Sequence, residues 1–395
     1  MKRESGIVTQ LQKRVTEKFG KKIYTATDCE NLAHDLKENL NEVVSSQTLR
    51  RFFGLIKATS KTSIFTLDLL SRYCGFEDYE NFRQSCCSGE LEQFFGSGED
   101  NGKNFWTKSE QLCRDISGSP ELLITTHYRL MSFPLVRKYF MENHPMRDML
   151  GTVYSQYFLS YLKFNQTNEA KIFAYGFLFQ SAFLLENDEL LELVHSKVSE
   201  TELTPDVHVI PAGLKFGVML LYADYTGDEA SFTKTFEMMK IFRAKYIPAS
   251  RESVCSFEYT VLESLIFTGR TEEMRFLLEN NTFYTSSKPS SIPPERKRTH
   301  DEVWNILCAF AYNKIGDVAA ARKYLTCVNL DNLGFGWKKY YSIIFYLVQL
   351  ELSDPKDRHK ILIKLRQLVE ETRFSFFETQ LATYENAVLP RASAC

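Results

Sequence analysis

The polar residues of Val44-Ser45-Ser46-Gln47-Thr48-Leu49-Arg50-Arg51-Phe52-Phe53-Gly54 are of the types that read nucleic-acid bases. A helix lying in a major groove reads base edges from its N-terminal turn, with Gln or Asn on adenine and Arg on guanine. Ser45, Ser46, Gln47 and Arg50 stand at positions that suit this. Arg51, Lys57 and Lys61 suit phosphates, which fix register without reading sequence. These seven residues are the expected DNA-binding set. Local charge supports them modestly: residues 1–63 hold twelve Lys/Arg against seven Asp/Glu, whereas residues 64–90 are net acidic. The competing reading is a helical bundle whose exposed arginines are simply solvated.

Other constellations are sparse. The sequence contains no G-x-x-x-x-G-K-[ST], G-x-G-x-x-G or H-E-x-x-H. Its nine cysteines include no C-x-x-C pair and read as reduced packing residues. Arg137 and His144 resemble the Arg…His pair of helical dimeric ribonucleases, in which Arg steadies phosphate and His moves a proton. The plainer reading is a helix that ends before Pro145 with His144 near its C-terminal dipole. No catalytic, cofactor-binding or metal-binding residue is therefore expected, and no cofactor. Arg296-Lys297-Arg298 is a second basic cluster, read as part of a solvated loop.

Helices must position the candidate readers. Val8, Leu11, Val15 and Phe19 recur at helical spacing and predict a first helix over 7–20. Thr27-x-x-Glu30 has the pattern of a capping box opening a second helix, with Leu32, Leu36 and Leu40 on one face. Ser45 then caps a third helix that turns Leu49, Phe52, Phe53 and Ile56 inward. Thr66 opens a fourth, and Gly75-Phe76 closes it. With Leu32-Ala33 in the supporting helix and Val44-Ser45 entering the next, residues 1–85 resemble the Cro/repressor type of helix-turn-helix. The resemblance implies a DNA-binding unit.

Ser97-Gly98-Glu99-Asp100-Asn101-Gly102 marks a polar linker over 86–104. Beyond it, residues 105–395 read as helix after helix. Gly227-Asp228, Gly269-Arg270 and Gly316-Asp317 each divide two apolar-periodic segments and fall 42 and 47 residues apart. Trp304, Leu307, Cys308, Ala311, Gly316, Ala320, Tyr324 and Cys327 resemble the packing residues of a tetratricopeptide repeat. The likeness implies a tetratricopeptide-like solenoid of α-hairpins whose concave face takes a peptide or protein. The aromatic run from Tyr154 to Phe183 reads as packing between hairpins, and the Pro-rich stretch Ser286–His300 as an exposed loop.

The chain of 395 residues is 44% hydrophobic and 25% charged, with a net charge of −2. Its 31 Phe and 20 Tyr with few Gly favour helices packed through bulky side chains. The longest apolar run, Ile172–Leu185, is interrupted by Gln180 and too short for a bilayer. The expectation is an all-α, non-catalytic cytoplasmic regulator, homodimeric, binding DNA through its first domain and a peptide or protein through its repeats, without membrane contact. The alternative is a protein–protein adaptor without DNA binding, and behind it a helical ribonuclease using Arg137 and His144.

Overall fold

A computed structural model describes residues 2–57, 62–82, 102–282, 292 and 294–388. Every regular element among them is a helix. The chain divides into two compact units, Met1–Glu99 and Asp100–Cys395. Most of the expected linker, residues 86–101, lies outside the described residues, and its last three open the helix Gly102–Ser117.

The first unit contains α1 (Lys2–Phe19), α2 (Ala26–Leu40), α3 (Ser46–Phe52) and α4 (Ile64–Tyr73). Leu11, Val15, Leu32, Leu36, Leu49, Phe52, Leu70 and Tyr73 form a shared buried core. The capping box of α2 is Thr25-x-x-Asp28, two residues before the expected Thr27-x-x-Glu30. Asp28 decides that register. Its carboxylate accepts from the Tyr24 and Thr25 amides and pairs with Lys21 at 2.7 Å. The Lys21 ammonium, the Thr25 hydroxyl and those amides hold the Asp28 carboxyl well below the usual range. Ser63, three residues before the expected Thr66, caps α4. Helix α3 is shorter than its apolar spacing implied. Gly54, at φ +70°, ends it, so Phe53 packs from beyond the helix, and Leu55 rather than the expected Ile56 joins the core.

The second unit begins with the helix Gly102–Ser117 and short helical turns, including a π-helical turn at Arg137–Glu142. After the helix Ser155–Phe164 come five pairs of packed helices. They are Asn168–Leu184 with Asp188–Glu200, Val209–Thr226 with Glu229–Glu252, Phe257–Leu265 with Thr271–Glu279, Pro294–Ile315 with Val318–Thr326, and Lys338–Leu352 with Pro355–Thr372. We call them hairpins 1 to 5. The first helix of each packs on the first helix of the next. Asn187, Asp228 and Asp317 cap the second helices of hairpins 1, 2 and 4 through their side chains, which fixes each return. A terminal helix, Ser375–Val388, packs on hairpin 5 and also reaches hairpin 1, where Phe376 lies 4.7 Å from Phe183 between ring centroids.

Hairpins 2 and 3 approach each other closely at two glycines. A methyl group on Gly213 would stand 1.8 Å from Thr260 Oγ1, and one on Gly217 would stand 2.6 Å from Ser264 Oγ. Only a missing Cβ allows that crossing. Cations tie neighbouring hairpins: Arg270 bridges Asp224 and Glu229, Lys314 donates to the Thr268 carbonyl, and Arg322 donates to that of Leu352.

Three packing expectations need correction. Pro294–His300 is the start of the first helix of hairpin 4, because proline needs no amide partner in a first helical turn. Residues 286–291 and 293 of the expected loop lie outside the described residues. In the second helix of hairpin 4 the small buried residue is Ala321 rather than Ala320, and Cys327 beyond it is exposed rather than packed. The aromatic run behaves as read: Tyr157, Phe158, Tyr161, Phe173, Phe177 and Phe179 are buried between helices. Among the described residues six cysteines are free thiols, and no helix is long and apolar enough to cross a membrane.

Candidate functional site

Helix α3 carries the candidate readers, and α2 with the turn at 41–45 holds it. Ser45 accepts from the Thr48 amide at 3.1 Å and shares a 2.8 Å contact with the Thr48 hydroxyl. Its oxygen is thus committed to capping. Leu49 and Phe52 anchor the inner side. Ser46 is half-buried, while Gln47, Arg51 and Lys57 are exposed. Among the described residues Arg51 and Lys57 form no ion pair. Arg50 differs: its Nη2 lies 3.0 Å from Glu30 Oε1 on α2, so its charge is neutralised and its head fixed. Arg72 and Glu42 make a similar pair, with two bonds of 2.6 and 3.0 Å. Lys61 lies outside the described residues. The exposed face of α3 therefore gathers Gln47 and Arg51 as accessible polar groups, with Ser45 and Arg50 held by intramolecular partners.

The second unit contains a buried charged network that sequence spacing could not reveal. Residues 144–148 are all buried and run past the first helices of several hairpins. Arg147 donates from Nε and Nη2 to the Glu263 carboxylate of hairpin 3, at 2.7 and 3.2 Å. The Tyr341 hydroxyl donates to the same carboxylate from hairpin 5. The guanidinium lies 4.3 Å from the Trp337 ring and 5.2 Å from that of Phe177. Asp148 accepts from the Tyr340 amide at 2.8 Å and so caps the first helix of hairpin 5, which has no cap from its own preceding residue. Burial raises the Asp148 carboxyl to about 6, against the opposing pull of those helix amides. Ser181 of hairpin 1 donates to the Leu150 carbonyl at 2.6 Å. One short segment thereby joins hairpins 1, 3 and 5.

This network also accounts for His144 and His300. Both are buried beside Trp337, with ring centroids 6.5 and 4.9 Å away. Burial holds His144 down at about 4 and His300 well below its ordinary value, with Arg296 and Arg147 adding repulsion in both. Arg137 donates to the Met131 and Ser132 carbonyls. In the basic cluster, Lys297 is paired with Asp301, and burial pulls Arg296 down to about 10.

Residues 144–150 thus lie against the first helices of hairpins 1, 3 and 5. A cleft of about 780 Å³ lies where hairpin 5 meets Asp148, Arg114 and residues 329–339. No group of three or more His, Cys, Asp or Glu among the described residues is arranged to hold a metal ion.

No family model, curated protein or solved structure matches this chain.

Proposed function

We propose that the chain is a non-catalytic regulator whose first unit is a helix-turn-helix-type DNA-binding domain and whose second is a tetratricopeptide-like helical array. The observation that carries the reading is the outward face of α3. Gln47 and Arg51 are exposed on a helix fixed by the Ser45 cap and by buried Leu49 and Phe52. Gln47 would read an adenine edge and Arg51 a guanine or phosphate, with Ser46 beside them. Lys57 and Lys61 would hold phosphates. Arg50 takes a narrower part: through Glu30 it braces α3 on α2. A two-fold dimer would set two such helices about one helical turn of DNA apart.

Retardation of genomic fragments by the full chain at low salt tests the reading. Binding should weaken steeply with salt and be lost in the Gln47→Ala/Arg51→Ala double variant. Absence of retardation at low salt, or retention of it in that variant, rejects it.

A protein adaptor is the second reading. Val43, Ile64 and Phe65 in the same unit are exposed by 72%, 65% and 54%, as suits a protein contact. In either case a peptide or protein partner of the second unit would meet surfaces other than the one that residues 144–150 cover.

A further inference from the structure

The cleft beside hairpin 5 is lined by four cations, Arg114, Lys338, Lys339 and Lys364, and by three carboxylates, Asp148, Asp331 and Glu371. Two cations are matched within the lining. Lys338 Nζ lies 2.7 Å from Asp331, and Lys339 Nζ lies 2.8 Å from Glu371. Asp148 is turned to the helix amides and so is not directed at the remaining cations. Those are Lys364 and Arg114, and each is held against a ring of the same lining. Lys364 Nζ is 5.3 Å from the Tyr346 centroid, and the Arg114 guanidinium is 4.6 Å from that of Phe335. Among the described residues Lys364 makes no ion pair, and Arg114 pairs only with Glu110, outside the lining.

The volume falls within the roughly 300–1,000 Å³ of small-molecule sites. Two cations with adjacent aromatic faces match a ligand with a negative head on a flat body. Apolar lining comes from Leu333, Phe335 and Leu368, and hydrogen-bonding groups from Ser342 and Gln367.

We propose that this cleft binds a small organic anion, a phosphate or carboxylate on a planar body, with Lys364 and Arg114 gripping the anionic group. The site belongs wholly to the second unit, and the inference stands apart from the DNA-binding reading.

Isothermal titration of the full chain provides the test. The probes are 4-nitrophenyl phosphate and 4-nitrobenzoate, with inorganic phosphate and benzylamine as partial probes. At least one aromatic anion should bind, and more tightly than inorganic phosphate. Comparing the two anions tells phosphate from carboxylate. Lys364→Glu and Arg114→Glu alter solvent-facing side chains and should each weaken the preferred anion by about tenfold or more. Unchanged far-ultraviolet circular dichroism and thermal midpoint would show that these variants remain folded. The proposal is overturned if neither aromatic anion binds, if both variants bind as wild type, or if benzylamine binds equally well. Should either charge reversal unfold the chain, Lys364→Gln and Arg114→Gln serve in its place, with the same loss expected.

Discussion

Replacing Glu263 by Gln probes the buried network with little change of shape. Arg147 and Glu263 are exposed by only 6% and 2% at their side chains, so water cannot take over the role of the lost charge. The guanidinium would retain Trp337 and Phe177 as neighbours but lose its counter-charge and two charge-assisted bonds. Removing one partner of a buried pair costs about 3–5 kcal/mol, whereas replacing both by apolar groups is often near neutral. At about 2 °C per kcal/mol for a domain of this size, the single variant should lose about 6–10 °C in thermal midpoint. The Arg147→Met/Glu263→Leu double variant should recover most of that. Urea unfolding followed by tryptophan fluorescence gives the free energies, since Trp337 sits against the guanidinium. The burial argument is refuted if Glu263→Gln costs less than about 1 kcal/mol, as an exposed pair would. It is equally refuted if the double variant is as unstable as the two singles combined.

Three further outcomes can be measured. Acid should weaken the second unit. His144 is held at about 4 when folded against 6.5 ordinarily, so the unfolded chain binds the extra proton and stability falls as the pH drops from about 6.5 towards 4. His300 acts in the same direction, while Asp148, raised to about 6 from 3.8, opposes them by favouring the folded state as pH falls. In urea unfolding across pH, His144→Gln should flatten the acid slope, and Asp148→Asn should steepen it between 4 and 6. Gly213→Ala forces a carbon to within 1.8 Å of Thr260 Oγ1 and 2.7 Å of the Phe257 carbonyl. It should cost about 1–3 kcal/mol by overpacking, and Gly213→Ala/Thr260→Ala should restore part of the loss in the same assay. Ser45→Ala removes the α3 cap and should cost about 1 kcal/mol, with faster amide exchange at Thr48.

Much of the helical framework was legible because its signals are local. The Gly-Asp and Gly-Arg steps at 227, 269 and 316 do separate paired helices, and Ser45 does cap α3. Where two local signals compete, sequence alone could not choose. Thr25-x-x-Asp28 and Thr27-x-x-Glu30 both fit a capping pattern, and Lys21 together with two backbone amides selects the first. Proline misled at 294 because it suits a first helical turn as well as a loop. The charged network was not legible at all. Residues 144–150 have no periodicity, and their partners lie in hairpins 1, 3 and 5. For the candidate readers, spacing identified which residues share a short helix. It could not reveal that Glu30, sixteen positions before Ser46 and on another helix, already engages Arg50.

The threaded segment has a consequence for how the chain is made. Arg147 pairs across 116 residues and Asp148 across 192. A stack whose members touch only adjacent members can grow one pair at a time. Here the ribosome releases residues 144–150 long before hairpins 3 and 5 exist, so Arg147 and Asp148 wait in water for partners not yet synthesised. Final consolidation is thus deferred until nearly the whole polypeptide has emerged. Truncation from the C-terminus should therefore disable the unit all at once rather than by degrees.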